Sequence, residues 1–362
     1  MNKFLLSYIP ILFFHAISFA QISIGFHQVY TSFGERKKDF TEEEIKEIRS
    51  TTLVFFYRQT DEKVLPELEK TLKSAWTVTP LIIAPFSQAE NYLNKPNYSY
   101  ASISTLINVG KSWNTWYLLL EFWISKPEEK MPKKNFAWIN LSTGSGSPIN
   151  GSFGDYAYKM GSYYLKGDEM SDIVYKANYG SKLIKEKRRE NTDKYFDFLY
   201  KEAVLLNWTI PDLKAYFTVI NEHILNGTAR TFCAEKNDVS EMQRLKKEIL
   251  LIPSYAFLIP DKSVKDRISY TKTTDDEINK ALSIYPYPYE IVDEKELTKE
   301  ILDSSKTTYY LTHIINNAKT VAIINSKTGR IIYTKCRIIA SNQCITEKDI
   351  ILLKEAINGV EK

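Results

Sequence analysis

The succession of apolar segments restricts the fold of this chain more than any other feature of its sequence. Residues 51–58, TTLVFFYR, form a β-branched and aromatic run of strand length. Behind this run, apolar residues from Leu65 to Trp76 recur at helical spacing, and the strand-like run PLIIAPF follows. Strands that alternate with helices are typical of α/β and α+β proteins, so we expect one of these two fold classes.

The same order of elements recurs near the C-terminus. In the first third, the order strand, helix, strand and short helix leads to the strands YASISTLINV, WYLLLEFWI and NFAWINLS. In the last third, SYAFLIP, TDDEINKALSIY, YEIVD and EKELTKEILD give the same order, followed by the strands TTYYLTHII and KTVAIINSKTGRIIYTK. We therefore predict an internal duplication, with two small mixed-sheet units around a helical middle segment.

The middle segment, from about Asp168 to Ile252, is helical and charged. Its clearest helix is PDLKAYFTVINEHILNG, in which Pro211 occupies the first turn and Gly227 follows the end. VSEMQRLKKEILLI is predicted as a further helix. The predicted organisation is a signal peptide at 1–20, an N-terminal α/β unit at 21–150, a connector and helical segment at 151–252, and a C-terminal α/β unit at 253–362.

A glycine-rich stretch, STGSGSPINGSFGD at Ser142–Asp155, precedes the middle segment. It contains neither of the glycine patterns that cradle phosphates, G-x-x-x-x-G-K-[ST] and G-x-G-x-x-G. It also lacks the pattern G-x-S-x-G, which places a nucleophilic serine on a strand-to-helix turn. We therefore interpret the stretch as a flexible connector.

The N-terminus, MNKFLLSYIPILFFHAISFA, has the pattern of a secretory signal. A lysine precedes an apolar run, and small residues stand at the positions that a signal peptidase recognises, so we predict cleavage between Ala20 and Gln21. The alternative is an uncleaved anchor, but the run falls short of the roughly 20 apolar residues that cross a bilayer. The protein is expected to be exported, to the periplasm or the extracellular space, without a later transmembrane segment.

Three cysteines follow the predicted signal, Cys233, Cys336 and Cys344. Export favours oxidation, and Cys336 and Cys344 are close enough in sequence to close a small loop by a disulfide. Such a bridge stabilises by about 2–3 kcal/mol. The alternative is three free thiols. Cys233 is expected to be a small buried apolar residue.

The sequence shows no pattern for a metal or cofactor, and we expect neither. His27, His223 and His313 remain after cleavage, and none has a further ligand at the spacing of a zinc site. Removal of Lys3 lowers the formal charge of +4 by one, which gives no reason to expect a nucleic-acid partner.

Two segments are candidate binding surfaces. The run KLIKEKRRE is strongly basic, through Lys182, Lys185, Lys187, Arg188 and Arg189. It is interpreted either as a binder of anionic lipid or glycan or as a solvated helix face. A tyrosine cluster that includes Tyr163 and Tyr164 is suited to stack on sugars or line a partner groove, or else to pack in the core.

The C-terminal third resembles, in the order of its elements, the periplasmic α/β domain shared by the curli-secretion channel and the lipoprotein activators of penicillin-binding proteins. YEIVDEKELTKEIL, TTYYLTHII and VAIINSKTGRIIYTK carry this resemblance. The chain as a whole is also similar to exported proteins of Gram-negative bacteria, and this resemblance implies no activity. The chain departs from the named families in lacking a lipidation cysteine and in its helical insert. The resemblance implies envelope-side protein binding without catalysis and assigns no functional residue.

Together these observations predict an exported, non-catalytic protein of the cell envelope or the extracellular space that binds another macromolecule. Two alternatives remain open at this point. One is a secreted hydrolase whose site is assembled from residues distant in sequence. The other is a peripheral protein that binds the membrane surface through the 182–189 run.

Overall fold

The structure, a computed structural model, contains two six-stranded mixed sheets flanked by helices. It describes residues 22–26, 38–57, 64–93, 95–109, 114–125, 133–146, 208–231, 234–260, 270–302, 306–315, 318–338 and 344–360. The predicted class, two mixed-sheet units around a helical middle segment, is confirmed. Among the described residues, no helix is long and apolar enough to cross a membrane.

Sheet 1 is built from the N-terminal part of the chain. Its elements are β1 (Ile22–Ile24), α1 (Glu42–Arg49), β2 (Thr52–Tyr57), α2 (Leu65–Ala75), β3 (Leu81–Pro85), a 3₁₀ helix (Phe86–Asn91), β4 (Tyr98–Val109), β5 (Asn114–Ser125) and β6 (Lys133–Gly146). The strand order is β1-β6-β5-β4-β2-β3. Strand β2 is parallel to both β3 and β4, and the other pairs are antiparallel.

Sheet 2 follows the long helix α3 (Ile210–Leu225). The elements after α3 are β7 (Lys236–Asn237), α4 (Val239–Met242), a 3₁₀ helix (Gln243–Lys246), β8 (Leu250–Pro253), a second 3₁₀ helix (Ser254–Phe257), β9 (Leu258–Pro260), β10 (Tyr270–Lys272), α5 (Asp275–Leu282), β11 (Tyr289–Val292), α6 (Glu294–Leu302), β12 (Tyr309–Ile315), β13 (Ala318–Asn325), β14 (Ile331–Ile338) and α7 (Glu347–Ile357). The strand order is β11-β8-β12-β13-β14-β7, and β9 pairs separately with β10.

The two sheets have the same topology. In each, an antiparallel three-stranded meander receives a short strand on one side, β1 or β7. On its other side lies a parallel central strand, β2 or β8, followed by a parallel edge strand, β3 or β11. The repeated order of elements in the sequence thus corresponds to a repeated strand order in the structure.

The first strand of the second unit was predicted wrongly. SYAFLIP was expected to be this strand, but Ser254–Phe257 form a 3₁₀ helix and only Leu258–Pro260 form a strand, β9. The central strand is Leu250–Pro253, and the predicted helix VSEMQRLKKEILLI wrongly included Leu250–Ile252. All four residues of β8 are buried between β11 and β12. A strand buried on both faces shows no alternation of apolar and polar residues, so periodicity does not separate it from a buried helical segment.

The glycine-rich stretch was also predicted wrongly in part. Ser142–Gly146 extend β6 rather than begin a connector, and Gly146 pairs with Asn114 at the start of β5. The long partner strand explains this, because its backbone groups continue the ladder whatever side chains stand opposite. The remainder of the stretch, 147–155, lies outside the described residues.

Helix α3 lies between the two sheets and is buried over most of its surface. Twelve of its sixteen residues are buried, including Phe217, whose ring contacts the rings of Phe55 and Phe122 from sheet 1 at centroid distances of 5.5 and 5.2 Å. On the other side, Tyr310 of β12 donates a hydrogen bond to the Pro211 carbonyl at 3.1 Å. A mostly apolar helix requires cover around most of its surface, and the two sheets provide much of it together with α2 and α6.

Each unit has helices on both faces of its sheet, but the faces that meet across α3 are not equivalent. The main core joins sheet 1 and α2 to α3, and α3 to sheet 2 and α6. Helix α5, which corresponds to α2 in the strand order, packs with α7 in a separate core on the far face of sheet 2. The 3₁₀ helix Phe86–Asn91 similarly packs on the far face of sheet 1.

Helix α3 is fixed to the β13–β14 turn by polar contacts and by a close approach. Lys214 Nζ donates to the carbonyls of Ser326 at 2.6 Å and Lys327 at 3.0 Å. Gly329, in the same turn, has φ +72°, and a Cβ atom there would lie 2.5 Å from Thr218 Oγ1. The turn therefore requires glycine both for its backbone conformation and for its contact with α3.

We expect Gly329→Ala to destabilise the protein by about 2–4 kcal/mol, because it adds a steric clash to the strain of a positive φ. Gly227→Ala is the matched control. Gly227 has φ +68° but nothing within 4 Å of a Cβ atom, so only the strain applies, about 1 kcal/mol. Urea denaturation of both variants measures the difference. Equal losses of stability in the two variants would show that the close approach of Thr218 does not contribute to the destabilisation.

Candidate functional site

Strand β11 leaves one edge of sheet 2 open. It pairs with β8, and no described strand pairs with its other side. The Pro288 carbonyl accepts from the Leu250 amide at 3.1 Å, so the backbone of Pro288 faces β8. Because backbone groups of successive residues point to opposite sides of a strand, the amide and carbonyl groups of Tyr289 and Ile291 face the open edge.

Large apolar side chains accompany this open edge. Tyr289 is 40% exposed and Ile291 42% exposed, and Ile249, just before β8, is 51% exposed. We call these three residues the β11 edge patch. Glu290 supplies an exposed negative charge between the two apolar residues of the strand. An exposed cluster of apolar side chains on a protein surface is typical of an interaction site.

The tyrosines before β11 hold the patch in place. In the segment YPYPY the Tyr285 ring is buried and contacts Tyr287 at 5.3 Å and Tyr289 at 5.9 Å, both edge-on. Burial raises the pKa of Tyr285 well above its usual value. Pro286 and Pro288 fix their own φ angles, so the segment has little backbone freedom. The orientation of Tyr289 is therefore set before any partner binds.

Helix α7 supports this segment from the far face of sheet 2. The Tyr287 hydroxyl donates to Asn358 Oδ1 at 2.9 Å, directly after the helix. At its other end the helix is anchored by Asp349, which is buried and accepts from Lys319 Nζ of β13 at 2.5 Å and from Arg337 of β14. Burial opposes the ionisation of Asp349, but the hydrogen bond and charge of Lys319, together with hydrogen bonds from Thr346, outweigh it, so the pKa of Asp349 is lowered.

His313 lies in the same buried region, on β12. Burial and the positive charge of Lys319 lower the pKa of His313 to about 3. Its Nε2 atom has no hydrogen-bond partner in the described part of the chain. The imidazole is therefore neutral near pH 7, and its protonation is unfavourable in the folded state.

His313 should make stability depend on pH. The unfolded chain takes up a proton at His313 below pH about 6.5 and the folded chain only near pH 3, so the free energy of unfolding falls as the pH drops between these values. His313→Gln should reduce the loss of stability between about pH 7.5 and about pH 4.5 by roughly 2 kcal/mol. Urea denaturation at both pH values measures this. An unchanged difference would mean that His313 is accessible to protons in the folded protein.

Several predicted site residues lie outside the described residues. These are the cleavage pair Ala20 and Gln21, the basic residues Lys182, Lys185, Lys187, Arg188 and Arg189, the tyrosines Tyr163 and Tyr164, and also His27 and Cys233. Their roles stay predictions.

The predicted disulfide between Cys336 and Cys344 is wrong. Cys344 is a free thiol, whereas Cys336 is disulfide-bonded. The strand geometry gives the reason. Arg337 of β14 contacts Asp349 of α7, so Cys336 next to it points to the opposite face of sheet 2. Cys344 lies on the α7 side, where its sulfur is 3.5 Å from Thr273 Oγ1 and its carbonyl accepts from Lys319.

We expect Cys344 to be alkylated in the unfolded, unreduced protein, and Cys336 only after reduction. Mass spectrometry of proteolytic fragments, with one alkylating reagent applied before reduction and another after it, separates the two states. Cys336 and Cys344 joined in one fragment pair would contradict the structure.

Among the described residues, no group of three or more His, Cys, Asp or Glu side chains is arranged to hold a metal ion.

The sequence did not lead us to predict the β11 edge patch, although it contains a pattern that indicates a sheet edge. Pro286 and Pro288 directly before a short strand are typical of a sheet edge.

Comparison of the chain with protein-family models, curated proteins and solved structures finds no match.

Proposed function

We propose that this is an exported, non-catalytic protein of the periplasm or extracellular space that binds another protein. An extended segment of the partner adds a strand to sheet 2 beside β11. The observation that carries this proposal is the open edge of β11, where outward-facing backbone groups adjoin exposed apolar side chains. Export rests on the predicted signal peptide at 1–20.

The chemistry of the edge favours a polypeptide partner. A row of alternating amide and carbonyl groups is complemented by the backbone of another strand. Tyr289 and Ile291 lie on one face of the strand, so they call for apolar side chains at alternate positions of the partner. Glu290 favours a lysine or arginine of the partner on the other face.

The other parallel edge strand is less suited to this role. Strand β3 ends in Pro85, and its large apolar side chains are partly buried rather than exposed. Natural sheet edges are commonly protected by proline, charge or cover. In the described part of the chain, β11 is protected by its shortness, by Glu290 and by Pro288 directly before it, but Tyr289 and Ile291 stay exposed.

Selection from a displayed library of extended peptides, about seven residues long, tests the proposal with the chain from Gln21 onward as the target. Enriched peptides should share apolar residues at alternate positions, with lysine or arginine between them. Their affinity, measured by fluorescence anisotropy, should fall about tenfold or more with Ile291→Pro, because proline removes an outward amide and leaves the pairing with β8 intact.

A matched pair of substitutions tests whether the side chain of Ile291 contributes to peptide binding. Ile291→Asp and Ile351→Asp place the same charge at similarly exposed positions, because Ile351 on α7 is 37% exposed. Only Ile291→Asp should weaken peptide binding. The proposal is wrong if selection enriches no common pattern, or if Ile291→Pro, shown to be folded by circular dichroism, binds the enriched peptides as tightly as the unchanged protein.

A further inference from the structure

Three basic side chains lie where the edge strands of the two sheets approach each other. Arg230 forms a two-way backbone bridge with Ile24 of β1, with both hydrogen bonds at 3.0 Å. Lys236 lies on β7, the edge strand of sheet 2, and Arg330 directly precedes β14, the neighbour of β7. The three cations thus come from three separate segments at the junction of the two units.

The guanidinium of Arg230 has an acceptor for one of its nitrogens and, among the described residues, none for another. Its Nη2 atom donates to the Ala234 carbonyl at 3.1 Å, which brings the group close to the start of β7. Its Nε atom is buried and has no hydrogen-bond partner in the described part of the chain. A buried donor without an acceptor is unfavourable, and an anionic ligand would satisfy it.

Nearby carboxylates do not form direct ion pairs with Arg230 or Lys236. The three carboxylates there are held by other donors: Glu222 accepts from Arg330 Nε at 2.8 Å, Asp39 from the amide of Ala229 at 2.8 Å, and Asp238 from the amide of Glu241 at 3.2 Å. Within the described ranges, neither Arg230 nor Lys236 forms a salt bridge with any of them. Neither cation thus has a fixed counterion in the described part of the chain.

The local electrostatics agree with this arrangement. Burial lowers the pKa of Lys236, and the charges of Arg330 and Arg230 lower it further. His223, whose Nδ1 is 2.9 Å from the Thr228 hydroxyl, has its pKa lowered to about 4 by burial and by Arg230. The charges of Arg230 and Arg330 are thus felt at Lys236, which places the three cations near one another.

We infer that Arg230, Lys236 and Arg330 form a binding site for a tetrahedral oxyanion, a phosphate or sulfate group. A tetrahedral group offers oxygens in several directions, which suits donors from three segments better than a planar carboxylate does. Strand β7 and β11 are the opposite edges of sheet 2, so the oxyanion site is separate from the edge proposed to bind peptides.

Titration calorimetry of the chain from Gln21 onward with inorganic phosphate, sulfate and acetate at equal ionic strength tests this inference. We expect saturable binding of phosphate or sulfate, and weaker binding of acetate. Lys236→Met, which keeps the apolar stem, should weaken binding about tenfold. Lys335→Met is the matched control, because Lys335 on β14 pairs with Glu235 at 2.8 Å and should leave binding unchanged.

Arg330→Gln is a second variant, since it removes another of the three cations from a partly exposed position. It should also weaken phosphate binding, with Tm measured in parallel to confirm folding. Vesicles that contain phosphatidylglycerol show whether the group is bound on a lipid or as a free ion. The inference is overturned if no anion binds saturably, if acetate binds as tightly as phosphate, or if Lys236→Met and Lys335→Met bind phosphate equally.

Discussion

The burial of helix α3 between the two sheets is the constraint on which the rest of the structure depends. Its buried residues cover nearly the whole helix surface, so it gains stability only when both sheets are in place. The aromatic contacts of Phe217 reach sheet 1, while Tyr310 and the β13–β14 turn reach the helix from sheet 2. The two units therefore share one core and should unfold together.

Polar groups on α3 are accommodated because each has a defined partner. Asn221 is buried, and its Oδ1 accepts from the amides of Thr77 and Val78 at 2.7 and 3.0 Å, which fixes the chain between α2 and β3. Asp212 caps the helix with Thr209, and burial raises its pKa to about 6 although hydrogen bonds from Thr209 oppose the shift. These bonds specify one position of the helix, which apolar packing alone does not do.

Much of the architecture was readable from the sequence, because long strands and helices carry strong periodic signals. The β4–β5 hairpin, helix α3 and the β13–β14 hairpin lie where their patterns predicted them. Strand β8 was missed because a doubly buried strand has no alternation. The pairing of Cys336 was missed because sequence proximity does not reveal which face of a sheet a residue occupies.

The candidate sites were less accessible to prediction for a related reason. That Tyr289 and Ile291 are open depends on β11 being the last strand of sheet 2, and strand order is a property of tertiary pairing. That Arg230 and Lys236 lie close together similarly depends on how two sheet edges meet, and no local sequence pattern predicts it. The basic run 182–189 was the more conspicuous sequence feature, but conspicuous charge is not evidence of assembly into a site.

The packing of non-equivalent faces across α3 bears on how the two halves have diverged. Helix α2 is enclosed in the shared interior, while its counterpart α5 lies on the periphery, and the reverse holds for the 3₁₀ helix Phe86–Asn91 and α6. Corresponding positions of the two halves are thus under different selection for size and polarity. Two halves of common ancestry would lose residue identity rapidly under this asymmetry and keep only the order of their elements, which is the pattern that this chain displays.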